Sequence, residues 1–430
     1  MSSSGALAIN DFSGTYKRYA LGVLTLVYTM NFLDRGLMSL LLQPIKEDLH
    51  LSDTQLGFLT GIAFGLFYAT LGLPIARWAD RGNRVNLTAI AIGLWGLTVM
   101  ACLFVTNFVQ LMCARMAAAV GEAGCMPPTY SLVGDYFPSA AERPRAMAVY
   151  MLAGPAASLA SYIVGGWLNE LYGWRLTFFV MGLPALAIAA LVKMSLREPR
   201  LQFRGTPIEA SPSVGFTHVV RALWRQPSAR HLSIALVLLF FMGYGIGPWY
   251  AAFLIRSHGM TTAQLGLSLG LIFGITGIVG TLLGGYVTSR WLAGNERLQM
   301  RVCSVTIGLL FPGLVAFLTV PKATHALFAL ALLSIVWALC FGPVYALMQR
   351  LVPDAMRASA LAVLMLFSNL LGMGLGPQIV GILSDALAPA LGGDSLRYAM
   401  IILSTVALWA ACHFRAVART VNDDLARIHG

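Results

Sequence analysis

The amino-acid sequence predicts an all-α membrane protein whose twelve transmembrane helices form two pseudo-symmetric six-helix bundles. Hydrophobic residues make up 58% of the 430 residues and charged residues only 11%, which is far more apolar than a typical water-soluble domain. The apolar residues fall into repeated runs of roughly 20, the length that a helix needs to cross a bilayer. The second half of the sequence also repeats features of the first half.

The apolar runs define the predicted spans. They lack the strand-period alternation of a transmembrane barrel, so each run is interpreted as a helix. The predicted spans are 19–43, 54–76, 85–106, 108–131, 147–168, 175–195, 231–255, 262–288, 302–320, 325–349, 359–384 and 397–414.

The distribution of basic residues predicts the orientation of the chain. Of the 29 lysines and arginines, 22 fall on the side of the termini and two lie inside spans. Five lie on the other side: Lys46, Arg175, Arg256, Lys322 and Arg397. The positive-inside rule therefore predicts a multi-pass cell-membrane protein with both termini cytoplasmic, in the inner membrane if the source is bacterial. This topology accounts for the net charge of +11, and we expect no nucleic-acid partner.

Cysteine and histidine placement predicts neither a metal site nor a cofactor. All six cysteines lie within predicted spans without CxxC spacing, so we interpret them as small core residues. The seven histidines fall at helix ends or in loops, which argues against a histidine-built metal site in the membrane.

A repeat of about 215 residues divides the chain into two halves. Pro128-Thr-Tyr-Ser-Leu132 is matched by Pro343-Val-Tyr-Ala-Leu347. A repeat in the same direction implies parallel halves and a site between them near the midplane. We therefore expect bundles at 1–195 and 231–430, joined by a cytoplasmic linker, 196–230, that is polar and rich in proline.

The loop after the second helix, Ala76-Arg-Trp-Ala-Asp80-Arg-Gly-Asn-Arg84, resembles the signature loop of the major facilitator superfamily, with alanine in place of its first glycine. A degenerate copy follows the eighth helix at 285–290. The resemblance implies the major facilitator fold. It also implies that Asp80, Arg81 and Arg84 form a cytoplasmic gate, although a topogenic charge cluster explains the same residues.

Three further motifs resemble the Spinster branch of that superfamily: Asn31-Phe-Leu-Asp34-Arg35, Gly121-Glu-Ala-Gly124 and Gly376-Pro-Gln-Ile-Val-Gly-Ile-Leu-Ser-Asp385. This narrower resemblance implies the export of lysolipids or sphingoid phosphates.

Four ionisable residues lie well inside the predicted spans: Asp34 and Arg35 on the first helix, and Arg115 and Glu122 on the fourth. Intramembrane charges usually face the protein interior and pair with one another. Similar depths favour an Asp34–Arg115 pair. We interpret Asp34 and Glu122 as proton carriers and either arginine as a ligand for an anionic headgroup. A static salt-bridge cluster is the alternative.

The second half has no ionisable residue in mid-membrane and supplies aromatic and small polar groups. The candidate substrate-binding residues combine polar groups of the first half with aromatic and polar groups of the second. They are Arg35, Arg115, Asn31, Tyr244, Trp249, Trp337, Phe341, Tyr345, Ser368 and Asn369. Ordinary helix packing explains any single aromatic equally well.

These features predict a proton-coupled secondary transporter and not an enzyme. We expect it to export an amphiphilic lipid by alternating access and to work as a monomer in the lipid bilayer. A multidrug or organic-anion antiporter of the same fold is the nearest alternative. An intramembrane lipid-modifying enzyme would need a nucleophile with a base, or a metal cluster, in the core.

Overall fold

The computed structural model describes residues 12–139, 141–202, 215–353 and 356–429. Throughout these ranges the regular secondary structure is helical. Seven stretches are long and apolar enough to cross a membrane. Two of them, Arg143–Leu201 and Ser359–Arg427, contain 59 and 69 residues. Each reverses at a glycine with positive φ, Gly173 or Gly392, a conformation that side chains with a Cβ rarely adopt. Each of these two stretches therefore holds two crossings.

Segments that continue one another are numbered here as α1 to α12, with π-helical and 3₁₀ turns included. The first half comprises α1 (Gly14–Leu49), α2 (Asp53–Thr60 and Ile62–Arg81), α3 (Arg84–Ala101 and Cys102–Phe104), α4 (Phe108–Ala123 and Met126–Tyr136), α5 (Arg143–Met151, Ala153–Leu159, Ala160–Val164 and the start of Gly165–Ser195) and α6 (the part of Gly165–Ser195 after Gly173).

The second half follows two short helices, Pro199–Gln202 and Phe216–Arg225. It comprises α7 (Pro227–Ile246, Gly247–Trp249 and Tyr250–His258), α8 (Thr262–Leu271, Ile272–Thr276 and Gly277–Trp291), α9 (Glu296–Thr319), α10 (Ala323–Leu339 and Phe341–Arg350), α11 (Arg357–Phe367, Ser368–Leu375 and Gly376–Leu391) and α12 (Ser395–Ser404 and Val406–His429), with a 3₁₀ turn at Gly392–Asp394 before α12.

The two halves interrupt their helices at matching places. α2 breaks at Gly61, and α8 has a π-helical turn at Ile272–Thr276. α4 breaks at Gly124 and Cys125, and α10 breaks at Cys340. α5 and α11 both contain π-helical turns. The repeat predicted from the sequence is therefore visible as a repeated pattern of helix interruptions, and the predicted two-bundle fold is confirmed.

Glycines let the two halves approach closely. A Cβ at Gly61 of α2 would lie 2.5 Å from the carbonyl oxygen of Gly374 on α11. A Cβ at Gly266 of α8 would lie 2.3 Å from the carbonyl oxygen of Tyr162 on α5. Small residues at such positions are the usual means by which transmembrane helices pack backbone to backbone. α2 thus lies against α11, and α5 against α8.

Polar contacts between the halves gather at the end of the bundle opposite the chain termini, here named the distal end. Both guanidinium NH groups of Arg256 lie 2.7 Å from the two carboxylate oxygens of Asp53, and Lys46 also pairs with Asp53. Ser384 donates a 2.6 Å hydrogen bond to the same carboxylate. Asp385 accepts hydrogen bonds from the backbone N–H groups of Asp53 and Thr54, so it caps the start of α2.

The electrostatics of Asp53 favour this closure over a wide pH range. Burial alone would raise the pKa of Asp53, but the hydrogen bonds and charge of Arg256, with Lys46 and Ser384, lower that pKa from 3.8 to about 2. A depressed pKa contributes stability that is present above the unfolded value and is lost as the pH falls through about 2. Ordinary changes of pH therefore leave the Asp53 contacts ionised.

The first prediction concerns Asp53→Asn. The amide keeps the size of the side chain but leaves Arg256 and Lys46 without their shared anion, so the distal end should open. Spin labels at Leu171→Cys and Leu391→Cys, in a background without the native cysteines, should report a longer distance in the variant. In the wild type that distance should stay constant from neutral pH down to about pH 4, because Asp53 stays ionised above its pKa.

The matched control is Asp48→Asn, because Asp48 lies at the same end but pairs with Arg175 of its own half. The control should keep the wild-type distance. An unchanged distance in the Asp53 variant would show that the distal end closes without this ion pair.

The second prediction concerns Gly266→Ala. The added methyl group would press on the Tyr162 carbonyl, and overpacking of this kind costs about 1–3 kcal/mol. The melting temperature of the detergent-purified protein should therefore fall. Gly277→Ala is the control on the same helix, since a Cβ there meets nothing within 4 Å. Equal melting temperatures for the two variants would contradict the close α5–α8 contact.

Candidate functional site

The four intramembrane charges form two ion pairs between α1 and α4. Arg115 pairs with Asp34, as the depths of the two residues predict. Arg35 pairs with Glu122, with its Nε 2.7 Å from the Glu122 Oε1 atom. Asp34 and Glu122 are fully buried, and Arg115 is 4% exposed. None of the four faces lipid, so the interior placement that the sequence predicts is confirmed.

Local packing fixes the position of Glu122 relative to α1 and α3. Asn31 of α1 donates a hydrogen bond of 3.2 Å to the Glu122 carbonyl oxygen, which lies just before the break in α4. The preceding residue, Gly121, packs so closely on α3 that a Cβ would lie 2.8 Å from the backbone nitrogen of Trp95. The Gly-Glu-Ala-Gly motif therefore allows α4 to approach α3 while Glu122 projects toward α1.

Each ion pair leaves buried polar atoms without a partner among the described residues. These atoms are Oδ1 of Asp34, Oε2 of Glu122, Nε of Arg115 and Oδ1 of Asn31. Buried polar atoms are nearly always hydrogen-bonded, so unpaired ones of this kind need an explanation such as a bound group or a catalytic role. Each carboxylate here retains one oxygen that can accept a proton or a donor from a ligand.

Arg35 is the charged group most open to the space between the halves. Its side chain is 21% exposed, whereas the Arg115 side chain is 5% exposed. The Arg35 guanidinium carbon lies 4.7 Å from the ring centre of Phe32, 5.4 Å from that of Phe64 and 5.2 Å from that of Tyr68. Aromatic faces attract a cation and hold it in position without neutralising it.

A cavity of about 450 Å³ lies between the two halves at this level. Arg35 and Arg115 both line its first-half wall, while Asp34 and Glu122 lie behind them. The cavity is within the size range of small-molecule sites. Its walls come from both bundles, as expected for a site between parallel repeats.

The second-half wall of the cavity is apolar and aromatic. Phe240 and Tyr244 stack at 5.6 Å between ring centres. Trp337 rests on α7, where a Cβ at Gly243 would lie 2.3 Å from the indole ring. No Asp, Glu, Lys, Arg or His from this half lines the cavity within the described part of the chain. The predicted contrast between a charged wall and an apolar wall is present in the structure.

Two predicted aromatic residues lie beside the cavity without lining it. Phe341 follows Trp337 by one helical turn, with ring centres 5.6 Å apart, and Tyr345 follows at 6.0 Å from Phe341. These three rings form an aromatic stripe along α10 that continues from the cavity toward the end of the bundle that holds the termini.

Other predicted binding residues are placed away from the cavity. Trp249 is fully buried and donates a 3.3 Å hydrogen bond to the Pro377 carbonyl oxygen. Ser368 is 1% exposed, and neither it nor Asn369 lines the cavity. Asn31 likewise contacts Glu122 instead of the open space. Trp249 falls in the 3₁₀ turn after Ile246.

The predicted gate residues are only partly described. The side chains of Asp80 and Arg81 lie outside the described part of the structure. Arg84 is fully buried and binds within its own half: its NH1 atom lies 2.7 Å from Asp135, and Glu198 pairs with the same guanidinium. Arg84 therefore ties the start of α3 and the end of α4 to the first residues of the linker, which follow α6.

Sequence reasoning missed several residues that line the cavity. Ser158, Ser161 and Tyr162 belong to α5, and Phe273 and Thr276 belong to the π-helical turn of α8. Tyr162 and Phe273 contact each other across the halves at 5.6 Å. A π-helical turn rotates the following side chains relative to a regular helix and often marks a functional site. The glycines at 165, 166, 266 and 270 were the available signal that α5 and α8 meet.

Among the described residues, no group of three or more His, Cys, Asp or Glu side chains could hold a metal ion. The α1–α4 charges offer ion pairing and hydrogen bonding beside an apolar surface.

Comparison with known proteins assigns the family. Residues 24–377 match the family model of the Major Facilitator Superfamily. The chain is 34% identical to an MFS-type efflux pump of Mycolicibacterium smegmatis over 94% of this chain and 93% of that protein. It is 24% identical to a sphingosine-1-phosphate transporter of Danio rerio over 94% of this chain and 84% of that protein.

One solved structure is similar to this protein over nearly the whole length of both chains. It is a bacterial homologue of the human lysosomal transporter Spinster in an inward-facing and unoccupied conformation, with 28% identity, a TM-score of 0.82 and coverage of 96% of this chain and 99% of that chain. The two similar halves, the cavity between them and the match to the family model over most of the sequence all lead to the same assignment. The chain belongs to the Major Facilitator Superfamily of membrane transporters.

Proposed function

We propose that this transporter is a proton-coupled exporter of a lysolipid-like or sphingoid-phosphate-like amphiphile. Two buried arginine–carboxylate ion pairs lie at one wall of the cavity, and the opposite wall is uncharged and aromatic. This contrast between the walls is the observation that carries the proposal. An ionic headgroup and an apolar tail need opposite surroundings, and the two walls offer both. The similarity to a sphingosine-1-phosphate transporter supports the same substrate class.

The headgroup ligand in this proposal is Arg35. Its guanidinium is the more exposed of the two, and the surrounding rings orient it without supplying a second anion. A guanidinium binds phosphate or carboxylate with paired N–H donors.

Movement of Arg35 during alternating access couples transport to a proton. A carboxylate buried in a low-dielectric site favours its neutral form unless a cation stays beside it. Glu122 therefore binds a proton in the state in which Arg35 moves away and releases the proton in the state in which the pair forms again. Asp34 and Arg115 form the second pair of this link. A gradient drives transport only when proton and substrate binding act on one shared equilibrium, and the two ion pairs supply such a link.

Alternating access completes the proposal. We assign the rocking halves to residues 1–195 and 231–430 and the connection to residues 196–230. The positive-inside pattern supports a cell-membrane orientation with cytoplasmic termini, so the closed distal end would face outward. The resemblance to an inward-facing Spinster homologue agrees with this orientation. A complete cavity formed by one chain supports transport by the monomer.

A multidrug or organic-anion antiporter is the second candidate. The efflux pump that is 34% identical to this chain and the apolar wall of the cavity favour it. Such a transporter would accept amphiphiles without regard to their headgroups. Purified protein in liposomes, offered labelled lysolipids and cationic drugs with and without a pH gradient, separates the two candidates. Uptake that requires an anionic headgroup supports the lipid exporter, and equal uptake of headgroup-free drugs supports the antiporter.

The third prediction concerns Glu122→Gln and Asp34→Asn. Both substitutions keep the size and hydrogen-bonding capacity of the side chain but remove the titratable group. Each variant should therefore lose the response of lysolipid uptake to an imposed pH gradient, while passive exchange persists. Uptake into proteoliposomes at matched protein levels measures this. Glu142→Gln, at an exposed position, is the control and should behave as the wild type. Wild-type gradient dependence in both site variants would leave a static salt-bridge cluster as the better account.

The fourth prediction separates the two arginines. Arg35→Gln removes a charge-assisted contact worth about 1.5–3 kcal/mol, so KM for a phosphate-headed lysolipid should rise by about 10- to 100-fold. Arg35→Gln and Arg115→Gln each leave a fully buried carboxylate unpaired, and breaking a buried ion pair costs about 3–5 kcal/mol, so both variants should lose thermal stability. Arg115→Gln should leave KM nearly unchanged in the protein that stays folded, because the Arg115 side chain is 5% exposed. A larger KM change in the Arg115 variant than in the Arg35 variant would reverse the assignment.

A further inference from the structure

The helix Phe216–Arg225, here named the linker helix, is amphipathic and lies on the surface of the second half. Val219 and Leu223 are buried at 1% and 6% exposure. They face the first segment of α11, Arg357–Phe367, against which the linker helix packs. One stripe of the linker helix is thus fixed to the protein, and the rest of its circumference is open.

The open surface next to this stripe is aromatic. Phe216 is 52% exposed and Trp224 is 60% exposed. Eight positions at about 100° per residue place both rings within one quadrant of the helix, beside Val220. Phe216 also approaches Phe367 of α11 at 6.5 Å between ring centres. Tryptophan and other aromatic residues are enriched where a helix meets the headgroup region of a bilayer.

A basic stripe adjoins the aromatic one. Arg221 and Arg225 are exposed and lie one helical turn apart. Residues 215–231 contain no aspartate or glutamate, and Arg230 adds a further positive charge. A helix with arginines on one side and aromatic rings beside them matches the pattern of helices that lie in the membrane interface and bind anionic lipid.

The position of the linker helix places it beside the bilayer. It ends at Arg225, and the apolar stretch that forms α7 begins at Pro227. Two residues cannot carry the chain far from the point where α7 enters the hydrocarbon. The exposed rings therefore lie at the depth of the headgroups and upper acyl chains, in the leaflet on the side of the termini.

A groove of about 570 Å³ runs between the linker helix and Phe367. Its lining combines the rings of Phe216, Trp224 and Phe367 with the guanidinium-bearing side chains of Arg221 and Arg225. We propose that this groove binds an anionic phospholipid of that leaflet, with the phosphate on the two arginines and an acyl chain along the rings. The site is separate from the substrate cavity, because none of its lining residues lines that cavity.

Photolabelling of the full-length protein in zwitterionic detergent tests the proposal. The probe is phosphatidylglycerol with a diazirine in one acyl chain, and labelled peptides are quantified by mass spectrometry. Label should accumulate at residues 216–225 and near Phe367, and excess unlabelled phosphatidylglycerol should remove it. Arg221→Gln with Arg225→Gln should raise the half-saturating probe concentration by about 25-fold, since each basic residue near a membrane surface contributes about fivefold.

Two further variants sharpen the result. Arg297→Gln with Arg301→Gln removes the same charge from exposed positions on α9 and should leave labelling unchanged. Trp224→Ala should weaken labelling while the charge is kept. Equal labelling by a phosphatidylcholine probe, or unchanged labelling in the Arg221 and Arg225 variant, would overturn the proposal. Competition by inorganic phosphate alone would assign the arginines to a free anion instead of a lipid.

Discussion

The need to neutralise charge inside a hydrocarbon layer constrains this structure more than any other requirement. An unpaired charge at mid-membrane costs at least about 2.5 kcal/mol by insertion scales. Asp34 and Glu122 are both fully buried, and each lies against an arginine of the opposite helix. The two pairs cross between α1 and α4 in opposite senses, with the carboxylate on α1 in one and on α4 in the other. The register of the two helices is therefore specified twice.

The placement of charge on one half has a consequence for how the cavity works. The first half supplies two arginine–carboxylate pairs to one wall of the cavity, and the second half supplies a wall that is uncharged among the described residues. The distal end differs from the cavity, because there an ion pair between Asp53 of the first half and Arg256 of the second half joins the halves directly. The Asp53 contacts and the α1–α4 pairs are thus two separate clusters, connected through the packing of α1 on α7 and of α2 on α11.

The sequence predicted the fold and the charge cluster because both depend on local composition. Apolar run length specifies the helices, and the Asp34–Arg115 pair follows from equal depth. The Arg35–Glu122 pair did not follow, because the break at Gly124 and Cys125 changes how α4 meets α1. Residue type was also a poor guide to the cavity lining on α7, where Trp249 lies in a 3₁₀ turn and is fully buried.

The contacts of Asp53 at the distal end could not be predicted from the sequence for a different reason. Asp53 has the sequence surroundings of a helix start, where Ser52 and Gln55 form a capping box, and an acidic residue there is ordinarily explained by the helix dipole. Only the assembled halves bring Arg256 and Ser384 to it. Contacts between residues 200 or more positions apart leave no local signal in one sequence.

The matched helix interruptions suggest how the two halves diverged after an ancestral duplication. Breaks or π-helical turns occupy equivalent places in α2 and α8, in α4 and α10, and in α5 and α11, although the side chains around them differ. The helix interruptions are thus kept in both copies. Among the described residues, the buried ion pairs beside the cavity belong to the first copy only, and a second set would add desolvation cost. Descent from a symmetric ancestor would thus preserve the mechanics in both copies while leaving the chemistry in one.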